Sequence, residues 1–206
     1  MPGDYGKFAA AVVDERRVRA RDHLDRSIDL HVLEVAPSKP ARDVDQKFGI
    51  LLSARQAQHD FDGCVEFARA LGNPIVVMFL DLDNFKALNS RFTNAKVDQT
   101  ILPEVQRLAL KVVQGRGDAY LHGGDEMVLI ALNLDDDEAR AFAEKVRRTF
   151  EGHKFVVDGE ALSITVCVGV ASWPVHGSSY GDVLEAANRA QVNAERTRNA
   201  VVVAAR

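Results

Sequence analysis

Two short acidic clusters are the residues of this sequence best suited to chemistry. Asp81-Leu82-Asp83 closes the apolar run Ile75–Leu80, and Asp125-Glu126 follows the pair Gly123-Gly124. A carboxylate at the end of a strand buried on both faces has a rigid base and an exposed tip, which hard cations with oxygen ligands need. The glycines lack side chains that would keep a bulky phosphate from the backbone. If the two segments meet at one end of a sheet, their carboxylates repel, and a divalent cation is the usual relief. Singly, each cluster has an ordinary explanation, because Asp at a strand end commonly caps a helix or forms a turn. The combination points to metal-dependent handling of phosphate.

Rival chemistries find little support. The histidines His23, His31, His59, His122, His153 and His176 have no zinc spacing, and His122 is expected to pack within a hairpin. No G-x-x-x-x-G-K-[ST] run occurs, so a P-loop is excluded. Cys64 and Cys167 cannot build a disulfide framework and show no C-x-x-C spacing. No Ser or Cys nucleophile constellation is present, and Trp173-Pro174 is expected to fix a loop.

The 206 residues carry 26 Lys and Arg against 30 Asp and Glu, a formal net charge of −4, and 47% of them are hydrophobic. That hydrophobic share excludes wholesale disorder. The negative balance excludes a protein that binds a nucleic-acid polymer mainly by neutralising its phosphates. The run Ile75–Leu80 falls far short of the roughly 20 residues a bilayer demands, so no membrane span is expected. Met1–Val13 lacks the basic start and apolar core of a signal peptide, and a cytoplasmic location follows as an expectation.

The elements that must position the acidic clusters can be read from periodicity. Tyr5–Val35 reads as helix, with Leu24, Ile28 and Val32 at steps of four, and Pro37 and Pro40 break it. Residues 1–40 are expected to form a helical extension and linker, either a dimerising or docking helix or a segment packed on the domain, and 41–206 a single domain. Asp45–Leu71 is expected to be helical with an interruption near Gly63, ending at Gly72-Asn73-Pro74. Ile75–Leu80 reads as a strand, Asn84–Phe92 and Val97–Val113 as helices, with Pro103 in a first turn or at a kink. Ala119–His122 and Glu126–Leu132 form a predicted hairpin around Gly123-Gly124-Asp125. Asp135–Glu138 opens a helix with acidic side chains suited to its N-terminal dipole. Lys154–Val157 and Leu162–Ala171 form a second predicted hairpin, Gly181–Glu195 a last helix, and Ala200–Ala204 an edge strand. The order predicts an α+β fold, a ferredoxin-like or palm-type antiparallel-rich sheet with helices on one face.

These residues also carry a family resemblance. Asp81-Leu-Asp-Asn-Phe-Lys-Ala-Leu-Asn89 resembles the D-x-D-x-F-K-x-x-N motif of the GGDEF domain, the catalytic domain of diguanylate cyclases, and Gly123-Gly-Asp-Glu-Met127 resembles its signature hairpin. Leu162–Ala171 is similar to the family's glycine-containing strand, and Gly181–Asn199 to its last helix and the Arg-Asn beyond. Asp45–Ile50 keeps a trace of the usual start, with Gly49 in register. The likeness covers nearly everything after the proline break. It implies that residues 41–206 are a nucleotide cyclase domain condensing two GTP molecules into cyclic di-GMP with release of pyrophosphate. Each domain would hold one GTP, so a homodimer is implied. Asp81, the Leu82 carbonyl, Asp125 and Glu126 would hold Mg²⁺ or Mn²⁺, with Asp125, Glu126 and Lys86 as catalytic groups. Asn89 and Asp98 would read the guanine, whose N1–H and N2–H₂ donors suit a carboxylate. Asp83 would add to the acidic cluster that the cations neutralise.

The sequence also departs from the family pattern. Ser90, Asn94 and Val97 stand where Asp and two glycine-containing pairs are usual, and Leu121 replaces a frequent Arg. The last helix has Ala187-Asn188 for Ala-Asp and Glu195 for a phosphate-contacting Lys, which leaves Arg196 or Arg198 to take over; Arg198 is the residue assigned to substrate. The R-x-x-D motif of product inhibition is not matched, because Arg116-Gly-Asp118 has the wrong spacing. Two further readings therefore stand beside the cyclase: a degenerate nucleotide-binding signalling module, favoured by Glu195, and a synthase of another cyclic nucleotide, allowed by Ser90, Asn94 and Val97.

Overall fold

The run Ile75–Leu82 forms strand β2, and its alternate residues enter two separate cores. Val76, Met78, Leu80 and Leu82 belong to one hydrophobic cluster, Ile75, Val77 and Phe79 to another. The computed structural model describes residues 42–206; the helix expected over Tyr5–Val35 and the break at Pro37 and Pro40 lie outside them. A strand without polar alternation must be covered on both faces, so the helices occupy both sides of the sheet. The expectation of helices on one face is corrected accordingly.

Strand β1 (Leu52–Ser53) and helix α1 (Ala54–Leu71) precede β2. After it come α2 (Phe85–Phe92), the short α3 (Asn94–Lys96), a π turn (Val97–Ile101) and α4 (Leu102–Val113). Strands β3 (Gly117–Leu121) and β4 (Met127–Leu132) lead into α5 (Asp136–Gly152). The chain closes with β5 (Phe155–Val157), β6 (Glu160–Leu162), β7 (Val166–Trp173), α6 (Tyr180–Ala194) and β8 (Val201–Val203). The main sheet has six strands in the order β1-β3-β4-β2-β7-β8. Its inner four are antiparallel neighbours, and the edge pairs β1/β3 and β7/β8 are parallel. The inner strands and their helices thus follow the β-α-β-β-α-β ferredoxin-like plan, and the α+β palm-type expectation stands. Helices α4 and α5 cover one face, α1 and α6 the other.

Local chemistry explains where the boundaries moved. The helix expected from Asp45 begins only at Ala54, because Ser53 caps it, accepting from the Gln56 N–H at 3.1 Å. Asp45–Gly49 instead folds into a turn in which Gly49 has φ +65° and Asp45 accepts from the Phe48 N–H at 2.8 Å. Gly63 does not interrupt α1, since Phe61 and Ala68 anchor the helix on the sheet to either side of it. Gly72, at φ +67°, terminates it. Pro103 stands in the first turn of α4, one of the two places expected for it, where the missing N–H costs no intrahelical hydrogen bond. The second expected hairpin is shorter than predicted. Only β5 and β6 pair there, around Asp158 and Gly159 at φ +52° and +83°, while Val166–Trp173 joins the main sheet.

Helix α6 lies unusually close to β7 at Gly169. A Cβ there would stand 2.0 Å from the Ala187 carbonyl oxygen and 2.3 Å from the Gln191 nitrogen, both backbone atoms with no room to yield. Gly169→Ala is therefore expected to destabilise the domain by about 1–3 kcal/mol. Thermal unfolding would register this as a fall in midpoint of about 2–4 °C per kcal/mol; an unchanged midpoint would mean that α6 can lift off the sheet at no cost.

Candidate functional site

Strand pairing brings the two acidic clusters together. Leu80 of β2 is opposite Met127 of β4, so the next residue, Asp81, emerges beside the turn that precedes Met127. That turn is tight: Glu126 N–H donates to the Gly123 carbonyl at 3.2 Å, and His122 N–H to the Glu126 carbonyl at 3.0 Å. Gly123 leaves room for the Glu126 carboxylate, which would lie 2.8 Å from a Cβ at that position. The His122 ring packs edge-on against Phe79, at 5.1 Å between centroids, so it serves the hairpin's packing.

A cavity of about 480 Å³ opens at this end of the sheet. Asp81, Leu82, Lys86, Asn89, Asp125 and Arg198 all line it, six of the eight residues singled out from the sequence. Glu126 is outside the lining but close enough for its charge to act on Asp81. Asp98 is also outside it, in the π turn, where its carboxylate pairs with Lys47 at 2.8 Å. Val97 is fully buried in the core and does not reach the cavity. Arg198 follows α6 in the left-handed region at φ +58°, as does Asn199. The Asn199 side chain anchors this loop to α5, donating to Glu151 at 2.6 Å and accepting from Arg147 at 2.8 Å.

Asp83 has a different task from its neighbour. It accepts from the Thr165 hydroxyl at 2.6 Å, the Cys167 thiol at 3.1 Å and the Asn199 backbone N–H at 2.8 Å. Asp83 lines the same cavity, and with its acceptors so engaged it also ties three chain segments together. The Cys167 thiol is buried and faces this carboxylate, so its pKa is pushed up to about 12.

The electrostatics of the remaining carboxylates fit a cation. Burial, then the neighbouring Asp125, then Glu195 and Glu126, push Asp81 up to about 7. Asp125 is raised as well, chiefly by burial. Asp81 Oδ1 is buried with no hydrogen-bond partner, a costly arrangement that a bound cation would satisfy. Among the described residues no group of three or more His, Cys, Asp or Glu side chains is arranged to hold a metal. A cation here would draw further ligands from a backbone carbonyl, water and substrate phosphate, as Mg²⁺ commonly does.

Sequence reasoning passed over Gln191, which is 2% exposed and lines the cavity from α6. Its alanine-rich surroundings gave it the look of a neutral helix position. Its distance of 110 residues from Asp81 offered no local pattern. Glu195, noted only as a departure, lines the same wall.

Comparison with known proteins agrees with this geometry. The family model described as "Diguanylate cyclase, GGDEF domain" matches residues 51–200. The response regulator PleD of Caulobacter vibrioides is 30% identical over 205 residues, which are 98% of this chain and 43% of that protein. Diguanylate cyclase A of Treponema denticola is 27% identical over 62% of this chain and 34% of its own length. The chain thus spans less than half the length of these curated relatives. Among solved structures, the active GGEEF domain of a diguanylate cyclase from Vibrio cholerae superposes with a TM-score of 0.67 at 27% identity, covering 76% of this chain and 99% of that one.

Because Asp81 is raised above its unfolded value, its contribution to stability is present in full only below the ordinary carboxylate range and is lost as pH rises from about 4 through about 7. In EDTA, Asp81→Asn should therefore melt above the wild-type domain at pH 8 and match it near pH 4.5. Screening of this half-buried group limits the gain to about 1 kcal/mol, or about 2–4 °C. Calorimetric midpoints across that range test it, and a gain independent of pH would refute the assignment.

Proposed function

This chain belongs to the GGDEF domain family, and from that premise we propose that it condenses two GTP molecules into cyclic di-GMP with release of pyrophosphate. The observation that carries this reading is the buried, unpartnered Asp81 Oδ1 beside Asp125, at the mouth of a cavity large enough for a triphosphate. Asp81, the Leu82 carbonyl, Asp125 and Glu126 would hold Mg²⁺ or Mn²⁺. When bound, such ions neutralise the triphosphate and favour the 3′-oxygen nucleophile and the leaving pyrophosphate.

The chain's own residues supply the rest. Lys86 and Arg198 bring positive charge to the cavity wall, where phosphate oxygens would accept from them. Asn89 lines the same cavity and offers an amide to the base. Asp98 would accept from the guanine N1–H and N2–H₂, and adenine would place its acceptor N1 against the same carboxylate. In this role Asp98 exchanges or shares its partner Lys47, an exposed pair that costs little to open. Each domain would hold one GTP, so the reaction belongs to a homodimer whose two cavities face each other. Residues 1–40 are read as an extension that docks or dimerises the catalytic domain at 41–206. Among the described residues no helix is long and apolar enough to cross a membrane, and GTP as substrate fits a cytoplasmic site.

Glu195 favours a second reading, a nucleotide-binding module without turnover, because its carboxylate lines a cavity meant for phosphate. Incubating the full chain with Mg²⁺ or Mn²⁺ and each nucleoside triphosphate, with products identified by mass spectrometry, separates the two. Cyclic di-GMP from GTP alone, reduced at least a hundredfold in Asp125→Ala, is the expected result. Nucleotide binding without product would establish the module, and a cyclic product from ATP or mixed nucleotides would establish a different synthase. Arg198→Ala should raise KM for GTP about tenfold with a smaller change in kcat, as expected for one charged hydrogen bond worth about 1.5–3 kcal/mol. Equal KM values would remove Arg198 from the substrate.

A further inference from the structure

One side chain in the cavity wall touches two carboxylates at once. Gln191 Nε2 is 2.8 Å from Glu195 Oε1 and 3.4 Å from Asp81 Oδ2. Ionised carboxylates only accept, while a primary amide carries two hydrogens on one nitrogen, so a single group can serve both. Glu195 has few other reasons to stay where it is. It lies at the C-terminal end of α6, where the helix dipole disfavours a negative charge, and its charge acts unfavourably on Asp81.

Gln191 is also held firmly enough to act as a fixed donor. Its side chain is almost wholly buried, and its backbone nitrogen lies in the close approach of α6 to Gly169. Helix and strand therefore set the origin of the side chain, and Asp81, at the end of the neighbouring strand β2, lies within its reach. With Oδ2 facing the amide, the other oxygen, Oδ1, is left without a partner.

We propose that Gln191 is a positioning residue for the cation-binding carboxylates, an inference that rests on the metal-dependent reading above. By donating to Asp81 Oδ2 it presents Oδ1 to the cation. By donating to Glu195 Oε1 it holds that charge on the α6 wall, away from incoming phosphates. Loss of the amide lets the two carboxylates move apart under their mutual repulsion, and the cation site loses its preset geometry.

The test compares the full wild-type chain with Gln191→Met, which keeps length and volume without donors, and Gln191→Asn, which keeps the amide but cannot span both acceptors. Binding of Mn²⁺ in the presence of a non-hydrolysable GTP analogue, followed by electron paramagnetic resonance, reads the site without turnover. The expected result is a rise of about tenfold in the Mn²⁺ dissociation constant in either variant that retains the wild-type circular dichroism spectrum. The metal concentration for half-maximal activity should rise in parallel, while kcat at saturating metal changes less than threefold. A purely structural role would lower the melting midpoint and leave the metal constant alone. A dissociation constant within twofold of wild type in a folded variant overturns the proposal, as does a wild-type chain that binds no Mn²⁺. If the wild-type chain binds Mn²⁺ but forms no cyclic dinucleotide, the cyclase reading fails, and the variant comparison still decides the role of Gln191.

Discussion

Burial of β2 on both faces is the constraint from which the rest of the domain follows. An apolar strand with no wet face needs helices above and below it and a hydrogen-bonded neighbour along each edge. The chain meets this with α4 and α5 on one side, α1 and α6 on the other, and β4 and β7 as antiparallel flanks. The strand's one polar residue is Asp81, between the buried Leu80 and Leu82, so its carboxylate emerges on the face whose core ends at Phe79. Asp81 is thus both well supported and partly desolvated, and neither condition could hold on a surface loop.

The cost of that placement is electrostatic. Four carboxylates, those of Asp81, Asp125, Glu126 and Glu195, act on one small volume, and the protein meets their repulsion in two ways. One is protonation, expressed in the raised values of Asp81 and Asp125. The other is a shared donor, the Gln191 amide. Neither device gives Asp81 Oδ1 a hydrogen-bond partner. Positive charge enters from Arg198, placed by an αL loop that Asn199 fastens to α5.

Much of this was legible in the sequence. The apolar run at 75–80, the glycine pair before Asp125 and the acidic start of α5 are local patterns with local causes, and each marks its element correctly. What escaped was decided across the sheet. Asp81 and Asp83 are equivalent in sequence, and only the arrival of Thr165, Cys167 and Asn199 makes one structural and leaves the other available. Helix α1 was expected too early because the Asp45–Gly49 turn resembles a helix start until Gly49 adopts its positive φ. Gln191 had no periodic or compositional mark, since its role depends on Gly169 drawing α6 onto β7. The helix expected from Val97 divides into a π turn and α4, which leaves Pro103 in a first turn, where a proline fits.

The knot at Asp83 bears on the order in which the domain can assemble during synthesis. Its bond to the Asn199 backbone joins residues 116 positions apart, a loop whose closure is among the slowest kinds of contact to form. A growing chain can pair β2 with β4 long before residue 199 leaves the ribosome, and it then carries the acidic end of β2 without the α6 wall or the Arg198 loop. The cavity is therefore lined on all sides only once both ends of this bond are in place. The side that carries Asp81, Lys86, Asn89 and Asp125 comes earlier in the chain, and the wall of Gln191, Glu195 and Arg198 is added when the last helix lands on Gly169 and the loop beyond it reaches Asp83.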